Sequence, residues 1–162
     1  MAIVIGFSTS DGFISKAIRW FSRSEVSHAW VSFDCGELEQ RLIMHATSGG
    51  YKLNHWRRWK KGNTIVAQFV CREDLSDGLR KMAKQLDHDY DYLSVIMMMP
   101  RRWLGKLFRN PVRDRKKLHC SEASARLLQA HGFAKDLDPE STTPGDLLEF
   151  CRNSPTFVSV GV

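Results

Sequence analysis

The sequence has no hydrophobic run long enough to cross a bilayer. Its first apolar stretch, residues 2–7 (AIVIGF), is short, and no basic segment precedes it. A spanning helix needs about 20 apolar residues, and a signal peptide begins with a positively charged region. We therefore expect neither a transmembrane segment nor a secretion signal, and we assign the protein to the cytoplasm.

Cysteine is scarce, and none of it forms a C-x-x-C pair. A disulfide framework is therefore not expected, and we interpret three of the four cysteines as small buried side chains. Short spacings typical of metal ligands are also missing, although some zinc-type ligands are present. We predict no metal and no cofactor. The three structural cysteines are Cys35, Cys71 and Cys151, and the zinc-type ligands are His28, His45, His119 and Cys120.

The chain has 162 residues with a formal charge of +6, and 43% of its residues are hydrophobic. This length and balance predict one globular domain spanning residues 1–162. The positive charge favours an acidic partner. It is concentrated in residues 57–61 and 101–117. Tryptophans accompany the first cluster, as in some sites that bind single-stranded nucleic acid, but no complete nucleic-acid-binding motif is present. We therefore expect residues 57–61 to form a strand-flanking loop with surface cations, and we expect no obligate nucleic-acid partner.

Periodicity predicts strands and helices that are segregated rather than strictly alternating. That order favours an α+β fold with a mainly antiparallel sheet flanked by helices. Thr143 is expected to cap the last helix, with Pro144 in its first turn and Asp146 completing a capping box. The predicted strands are 2–7, 28–33, 41–46, 63–70 and 157–160, and the predicted helices are 14–21, 74–87, 121–131 and one from 144.

Two of the predicted strands each carry a histidine. His28 shares one face of its strand with Trp30 and Ser32, and His45 shares one face of its strand with Arg41 and Ile43. The turn at residues 34–37 joins the two strands as an antiparallel hairpin, which places the histidines on neighbouring strands. Of the other histidines, His119 is a lesser candidate for the catalytic base. The remaining three lack such a pattern and are expected to be solvated. The solvated set is His55, His88 and His131.

Cys120 stands where a helix is predicted to begin. The positive end of the helix dipole and the free backbone N–H groups there favour a thiolate, the reactive form of cysteine. A cysteine nucleophile needs an imidazole base and a polar group that orients it, and both can be distant in sequence. We interpret His28 as the candidate base and His45 as the candidate orienting group. By itself, a cysteine at a helix start is more often structural than catalytic.

Several short segments, in this order along the chain, resemble the circularly permuted papain-like (NlpC-type) cysteine hydrolases. Residues 27–33 (SHAWVSF) are similar to the histidine strand of that family, and residues 44–51 (MHATSGGY) to its next strand. Residues 118–122 (LHCSE) resemble the nucleophile turn of the YiiX/YebB-like branch. Residues 90–92 (YDY) and 143–147 (TPGDL) sit where that branch has its "YD" and "TPxDL" patterns.

The resemblance implies a papain-like fold with permuted topology and an acyl-enzyme mechanism without a cofactor. It makes Cys120 the nucleophile, His28 the base and His45 the third polar residue. A glutamate is common at the place of His45 in the YiiX branch, whereas a histidine there is similar to lecithin–retinol acyltransferase relatives. Tyr90 or Tyr92 is expected to assist at the oxyanion or to shape the cleft. The substrate stays open: a peptide, an isopeptide, a cell-wall peptide or an acyl lipid.

Two other functions stay open at this point. One is a lipid acyltransferase or thioesterase-like enzyme of the same chemistry, and the other is a non-catalytic module that binds through its basic surface. Residues 97–109 mix apolar and basic side chains, as segments lying on an anionic membrane do. We favour a different interpretation of this segment, an active-site loop packed by its Met and Trp residues with a solvated basic rim.

Overall fold

A computed structural model of the chain describes residues 2–104, 110–111 and 117–161. The basic segment at 101–117 lies mostly outside them. Lys106, Arg109, Arg113, Arg115 and Lys116 all fall there, so the predicted basic surface is described only in part.

An antiparallel sheet of six strands forms the centre of the described structure. Its spatial order is β4-β3-β2-β1-β5-β8, and every neighbouring pair is antiparallel. Helices flank it, which confirms the predicted α+β class and the mainly antiparallel sheet. The strands are β1 (Ile3–Thr9), β2 (His28–Cys35), β3 (Gln40–Thr47), β4 (Gly50–His55), β5 (Thr64–Cys71) and β8 (Phe157–Val160).

The predicted hairpin of the two histidine strands is present. Strands β2 and β3 are antiparallel, with Val31 opposite Met44. The alternation also holds, because Ala29 and Met44 pack into one hydrophobic cluster while Trp30 and Ile43 pack into another. Strand β4 was not predicted. It follows β3 through a tight turn in which Gly50 has a positive φ of 100°, a conformation that favours glycine.

Seven α-helices lie within the described residues, and two of the predictions for them need correction. No helix was predicted at residues 56–60, where a loop was expected. The predicted helix at 74–87 covers only Ser76–Ala83, and the Asp74 carboxylate accepts a hydrogen bond from the Ser76 N–H at its start. The helices are α1 (Phe13–Ser22), α2 (Trp56–Lys60), α3 (Ser76–Ala83), α4 (Tyr92–Met97), α5 (Arg101–Leu104), α6 (Cys120–Gln129) and α7 (Pro144–Asn153).

The capping box predicted for the last helix is present. Thr143 Oγ1 accepts a hydrogen bond from the Asp146 N–H at 3.2 Å, and Asp146 Oδ2 accepts one from the Thr143 N–H at 2.8 Å. Two otherwise unpaired donors at the start of α7 are thereby satisfied.

The expectation that Met and Trp residues pack the segment at 97–109 holds only in part. Met98 is buried against Ile18 and Phe21 of α1. Trp103 and Leu104, in contrast, are largely exposed. The interpretation as a wholly packed loop is therefore wrong for α5, and residues 105–109 lie outside the described part.

A second, parallel strand pair joins two distant segments. Strand β6 (Asp89–Tyr90) pairs with β7 (Lys117–Leu118), with Tyr90 opposite Leu118. Because β7 ends two residues before Cys120, this pair fixes Tyr90 beside the start of α6.

Candidate active site

Cys120 is the first residue of α6, as predicted. His119 precedes the helix in an extended conformation, with φ −105° and ψ 167°. Most residues of α6 are buried, and the helix packs against β2. Cys120 itself is only 4% exposed, so its thiol enters a low-dielectric environment.

Burial raises the pKa of the Cys120 thiol. Hydrogen bonds to the sulfur from the backbone of Ala29, Ser121 and Cys120, and from the Ser121 side chain, lower the pKa but are outweighed. The thiolate predicted from the helix start is therefore not the resting form. In a site this enclosed, the free-energy cost of removing a thiolate from water exceeds the electrostatic stabilisation that the helix terminus provides.

The structure brings His28 and His45 into direct contact. His28 Nε2 lies 3.1 Å from His45 Nδ1, and the two rings meet edge to face with centroids 5.3 Å apart. Both rings also approach Trp59, at 6.4 and 5.8 Å between centroids. This pairing leaves Nδ1 of His28 as the ring nitrogen available to a further partner.

Asn54 extends this contact, and its part was not recognised from the sequence. Its amide nitrogen lies 3.0 Å from His45 Nε2. Asn54 belongs to β4, the strand next to β3, and stands opposite Ile43. The three side chains form a chain of hydrogen bonds from Asn54 through His45 to His28. The missed β4 strand is the reason that Asn54 was overlooked.

Both imidazoles are held in the neutral form. Burial, with a smaller contribution from the nearby His45, lowers the pKa of His28 to about 3. Burial alone lowers the pKa of His45 to about 4. A neutral histidine can accept a proton, so the pair has the protonation state that a general base requires.

The thiol and the imidazoles approach the start of β2 from opposite faces of the sheet. Ala29 packs with Cys120, whereas its neighbour His28 turns to the face that carries Trp59. In the described part of the chain, no hydrogen bond joins the Cys120 thiol to either ring. The thiol instead meets the backbone of Ala29, one residue from His28.

A cleft of about 280 Å³ opens beside the histidine pair. His28, His45, Tyr90 and Tyr92 all line it, but Cys120 is not among its described lining residues. The two tyrosine rings pack edge to face at 4.8 Å between centroids. Burial, followed by the effect of Cys120, raises the pKa of Tyr90, so its hydroxyl stays protonated and can donate.

The His119 side chain belongs to a buried polar network and does not line the cleft. Its Nδ1 lies 3.0 Å from Glu122 Oε2, and its Nε2 lies 3.2 Å from the Thr142 carbonyl oxygen. Arg126 pairs with the other Glu122 oxygen at 2.6 Å. Hydrogen bonds and charges from His119 and Arg126 lower the pKa of Glu122 against the effect of burial. This network fixes the first turn of α6, which carries Cys120.

His131 is not simply solvated, contrary to the prediction. Its Nε2 accepts a hydrogen bond of 2.7 Å from the Gly78 N–H in the first turn of α3. It therefore acts as a structural cap. This contact could not be predicted from local sequence patterns, because the two residues are 53 positions apart.

The donor groups do not form a metal cage. Within the described residues, no three His, Cys, Asp or Glu side chains are placed where they could share an ion. Of the zinc-type ligands named above, His119 has both ring nitrogens engaged elsewhere. No helix in the described ranges is both long enough and apolar enough to span a bilayer.

No protein-family model and no curated protein matches the chain. Among solved structures, it resembles the crystal structure of the metalloprotein yiiX from Escherichia coli O157:H7, which is also described as DUF1105. The two share 19% sequence identity, with a TM-score of 0.52, and the match covers 99% of this chain and 95% of that one. At this identity the likeness establishes a shared fold, while function has to be argued from the site.

Proposed function

We propose that the protein is a cysteine-dependent hydrolase that acts on an amide or ester carbonyl through an acyl-enzyme. Cys120 would be the nucleophile, His28 the base and His45 the residue that orients it. The observation that carries this proposal is the contact of His28 with His45 at the cleft, in which His28 Nδ1 has no partner among the described residues. The Cys120 sulfur lies against the backbone of Ala29, the residue that follows His28. The resemblance to permuted papain-like enzymes and the yiiX-like fold support it.

The reaction starts from a neutral thiol and a neutral imidazole. His28 Nδ1 takes the thiol proton as the sulfur attacks the carbonyl carbon, and the imidazolium then protonates the leaving group. Water attacks the resulting thioester while His28 takes its proton, the C–S bond breaks to release the acid, and the imidazolium returns the proton to the Cys120 sulfur. Hydrogen bonds of this kind often form or shorten only when substrate binds, so the lack of a thiol–imidazole hydrogen bond among the described residues is compatible with the step.

The step needs the tautomer in which His28 Nδ1 carries no proton, and the orientation of the Asn54 amide decides whether the hydrogen-bond chain favours it. His28 Nδ1 is free only if its Nε2–H donates to His45 Nδ1. His45 Nε2–H must then donate to an acceptor, which the Asn54 amide provides when its oxygen faces the ring. Amide oxygen and nitrogen exchange places by rotation about one bond. With its oxygen facing the ring, Asn54 would hold both histidines in the productive tautomer, whereas the amide nitrogen that faces His45 in the structure favours the other tautomer.

The oxyanion would form at the start of α6. The backbone N–H of Cys120 has no partner within the helix, as is general for first-turn donors. The protonated Tyr90 hydroxyl is the second donor we propose, because Tyr90 lines the cleft and is electrostatically coupled to Cys120.

Acylation by an activated ester tests the assignment directly. After incubation with p-nitrophenyl acetate, intact mass and peptide mapping should find one acetyl group, on Cys120. His28→Gln should slow acetylation on the order of a hundredfold or more, because general-base assistance of that size is lost. Circular dichroism checks that the variant stays folded.

Cys35 provides the matched control, because it is the more accessible thiol. If reactivity followed exposure alone, Cys35 would be acetylated first, and Cys35→Ser would remove the signal. Preferential modification of Cys35, or an unmodified Cys120 in the folded protein, would overturn the proposal.

A non-catalytic binding module is the second candidate. The observations that favour it are the raised pKa of the Cys120 thiol and the lack of a hydrogen bond to either described imidazole. A module of this kind would leave Cys120 unacetylated, so the same experiment separates the two candidates.

A further inference from the structure

Three helices beside the cleft expose large apolar side chains to solvent. Phe13 is 86% exposed and Trp103 is 71% exposed, values unusual for aromatic residues. We call this surface the apolar face and define it by Phe13 and Ile14 of α1, Leu93 and Ile96 of α4, and Trp103 and Leu104 of α5. Clustered exposure of this kind marks an interaction site rather than ordinary surface.

The three helices form one unit. Val95 and Met98, at the C-terminal end of α4, pack against Ile18 and Phe21 of α1. Helix α5 contacts α1, and the Trp20 and Trp103 rings meet edge to face at 5.8 Å between centroids. The inward side chains of these helices thus pack against each other, while the outward side chains form the apolar face.

The apolar face is continuous with the mouth of the cleft. Ile14 belongs to the face and also lines the cleft, and Tyr92, next to Leu93, lines it from α4. A partner bound to the face would therefore lie against the entrance to the histidine pair.

The charges on these helices are of one sign. Helix α1 carries Lys16 and Arg19, and α5 begins with Arg101 and Arg102. The sequences of α1, α4 and α5 contain no Asp or Glu, and residues 92–100 contain no charge of either sign. Apolar and aromatic side chains flanked by Lys and Arg are the composition of helices that lie in the interface of an anionic bilayer.

We propose that the apolar face docks on the surface of an anionic phospholipid bilayer and holds the cleft at the interface. Phe13, Leu93, Ile96 and Trp103 enter the boundary between headgroups and acyl chains, and the cations of α1 contact the lipid phosphates. A bilayer suits side chains that protrude from three short helices, because it accepts them without a complementary pocket. This inference does not depend on the proposed hydrolysis.

Sedimentation with vesicles tests the docking. The full chain should partition onto phosphatidylcholine vesicles that contain phosphatidylserine and more weakly onto phosphatidylcholine alone. Phe13→Ser combined with Leu93→Ser should lower the partition coefficient on the order of tenfold or more, because two large side chains no longer leave water. Both positions are exposed, so the variant is expected to fold, and its thermal midpoint checks this.

Leu38→Ser combined with Val158→Ser is the matched control. Both residues are exposed and apolar but lie outside the three helices, so this variant should partition as the wild type does. Cys120→Ala should also bind normally, so a failure of the hydrolase proposal leaves this result unaffected.

Three results would overturn the docking proposal. The first is a wild-type chain that sediments with neither vesicle. The second is equal loss of binding in the test and control variants. The third is a dimer, seen by analytical ultracentrifugation without lipid, that Phe13→Ser with Leu93→Ser dissociates, since the face would then belong to a second copy.

Discussion

At the scale of single residues, the two histidines make stability depend on pH. Both have a pKa well below 6.5 in the folded protein, about 3 for His28 and about 4 for His45. In the unfolded chain each regains an ordinary pKa near 6.5. The unfolded state therefore binds protons that the folded state rejects. Stability from this source is complete above pH 6.5 and is lost as the pH falls from 6.5 towards 4 and 3.

Urea unfolding at about pH 7.5, 6, 5 and 4.5, values that span this window, measures the effect. Between pH 6 and 4.5 the free energy of unfolding should fall by about 1.4 kcal/mol per pH unit for each histidine, beyond the contribution of other groups. His28→Gln combined with His45→Gln should remove this part of the slope. Parallel curves for the wild type and the variant would mean that the two imidazoles are not held neutral.

The residues proposed for the site could be found from sequence because each lies in a local pattern. His28 and His45 alternate with apolar residues on paired strands, and Cys120 precedes an apolar helical stripe. Asn54 had no such pattern, since the residues around it (YKLNHW) carry little strand signal. The thiol pKa could not be predicted either, because burial by β2 and α6 is a tertiary effect that overrides the helix terminus.

At the scale of elements, the strong apolar periodicities were predicted and the weak ones were missed. Strands β1, β2, β3, β5 and β8 and helices α1, α6 and α7 were all anticipated, with ends shifted by one or two residues in most cases. Strand β4 is a polar edge strand, and α2 consists of basic residues and tryptophans. The pair β6–β7 has two residues in each strand, too few to show a period.

The packing of β1 on β2 depends on the absence of a side chain at Gly6. Gly6 pairs with Trp30, and a Cβ built at Gly6 would lie 2.1 Å from the Trp30 ring, far inside van der Waals contact. Trp30 is fully buried between Trp56 and Trp59, at 5.0 and 5.1 Å between ring centroids, so its ring has little room to move.

Gly6→Ala should therefore destabilise the protein by about 2 kcal/mol or more, as overpacking of a filled core does. Chemical denaturation followed by circular dichroism gives the value. Gly36→Ala is the control, since a Cβ there meets nothing within 4 Å, and its unfolding free energy should change by less than about 1 kcal/mol. Equal effects of the two substitutions would show that the Trp30 contact does not limit the site.

At the scale of the whole molecule, the central sheet uses strands from both ends of the chain. Strand β1 lies between β2 and β5, and β8, near residue 160, closes the edge beside β5. One large core cluster includes residues from β1, β2, β5, α6, α7 and β8. No described segment has a separate core of comparable size, which favours the proposal that residues 1–162 form a single domain.

A single domain of this kind should unfold in one cooperative step. Near-ultraviolet circular dichroism, which reports tertiary packing, and far-ultraviolet circular dichroism, which reports secondary structure, should give the same urea midpoint. Two separated transitions would instead indicate that the part following β5 unfolds independently of the sheet.

The order of the strands has a consequence for biosynthesis. Strands β1 to β4 follow one another in the chain and pair as neighbours, so the hairpins that carry both histidines leave the ribosome early. Helix α6, which begins with Cys120, is translated some 65 residues after β4 ends, and α7 and strand β8 follow it. The two histidines are thus synthesised well before Cys120, the proposed nucleophile, and the edge strand that completes the sheet is synthesised after it.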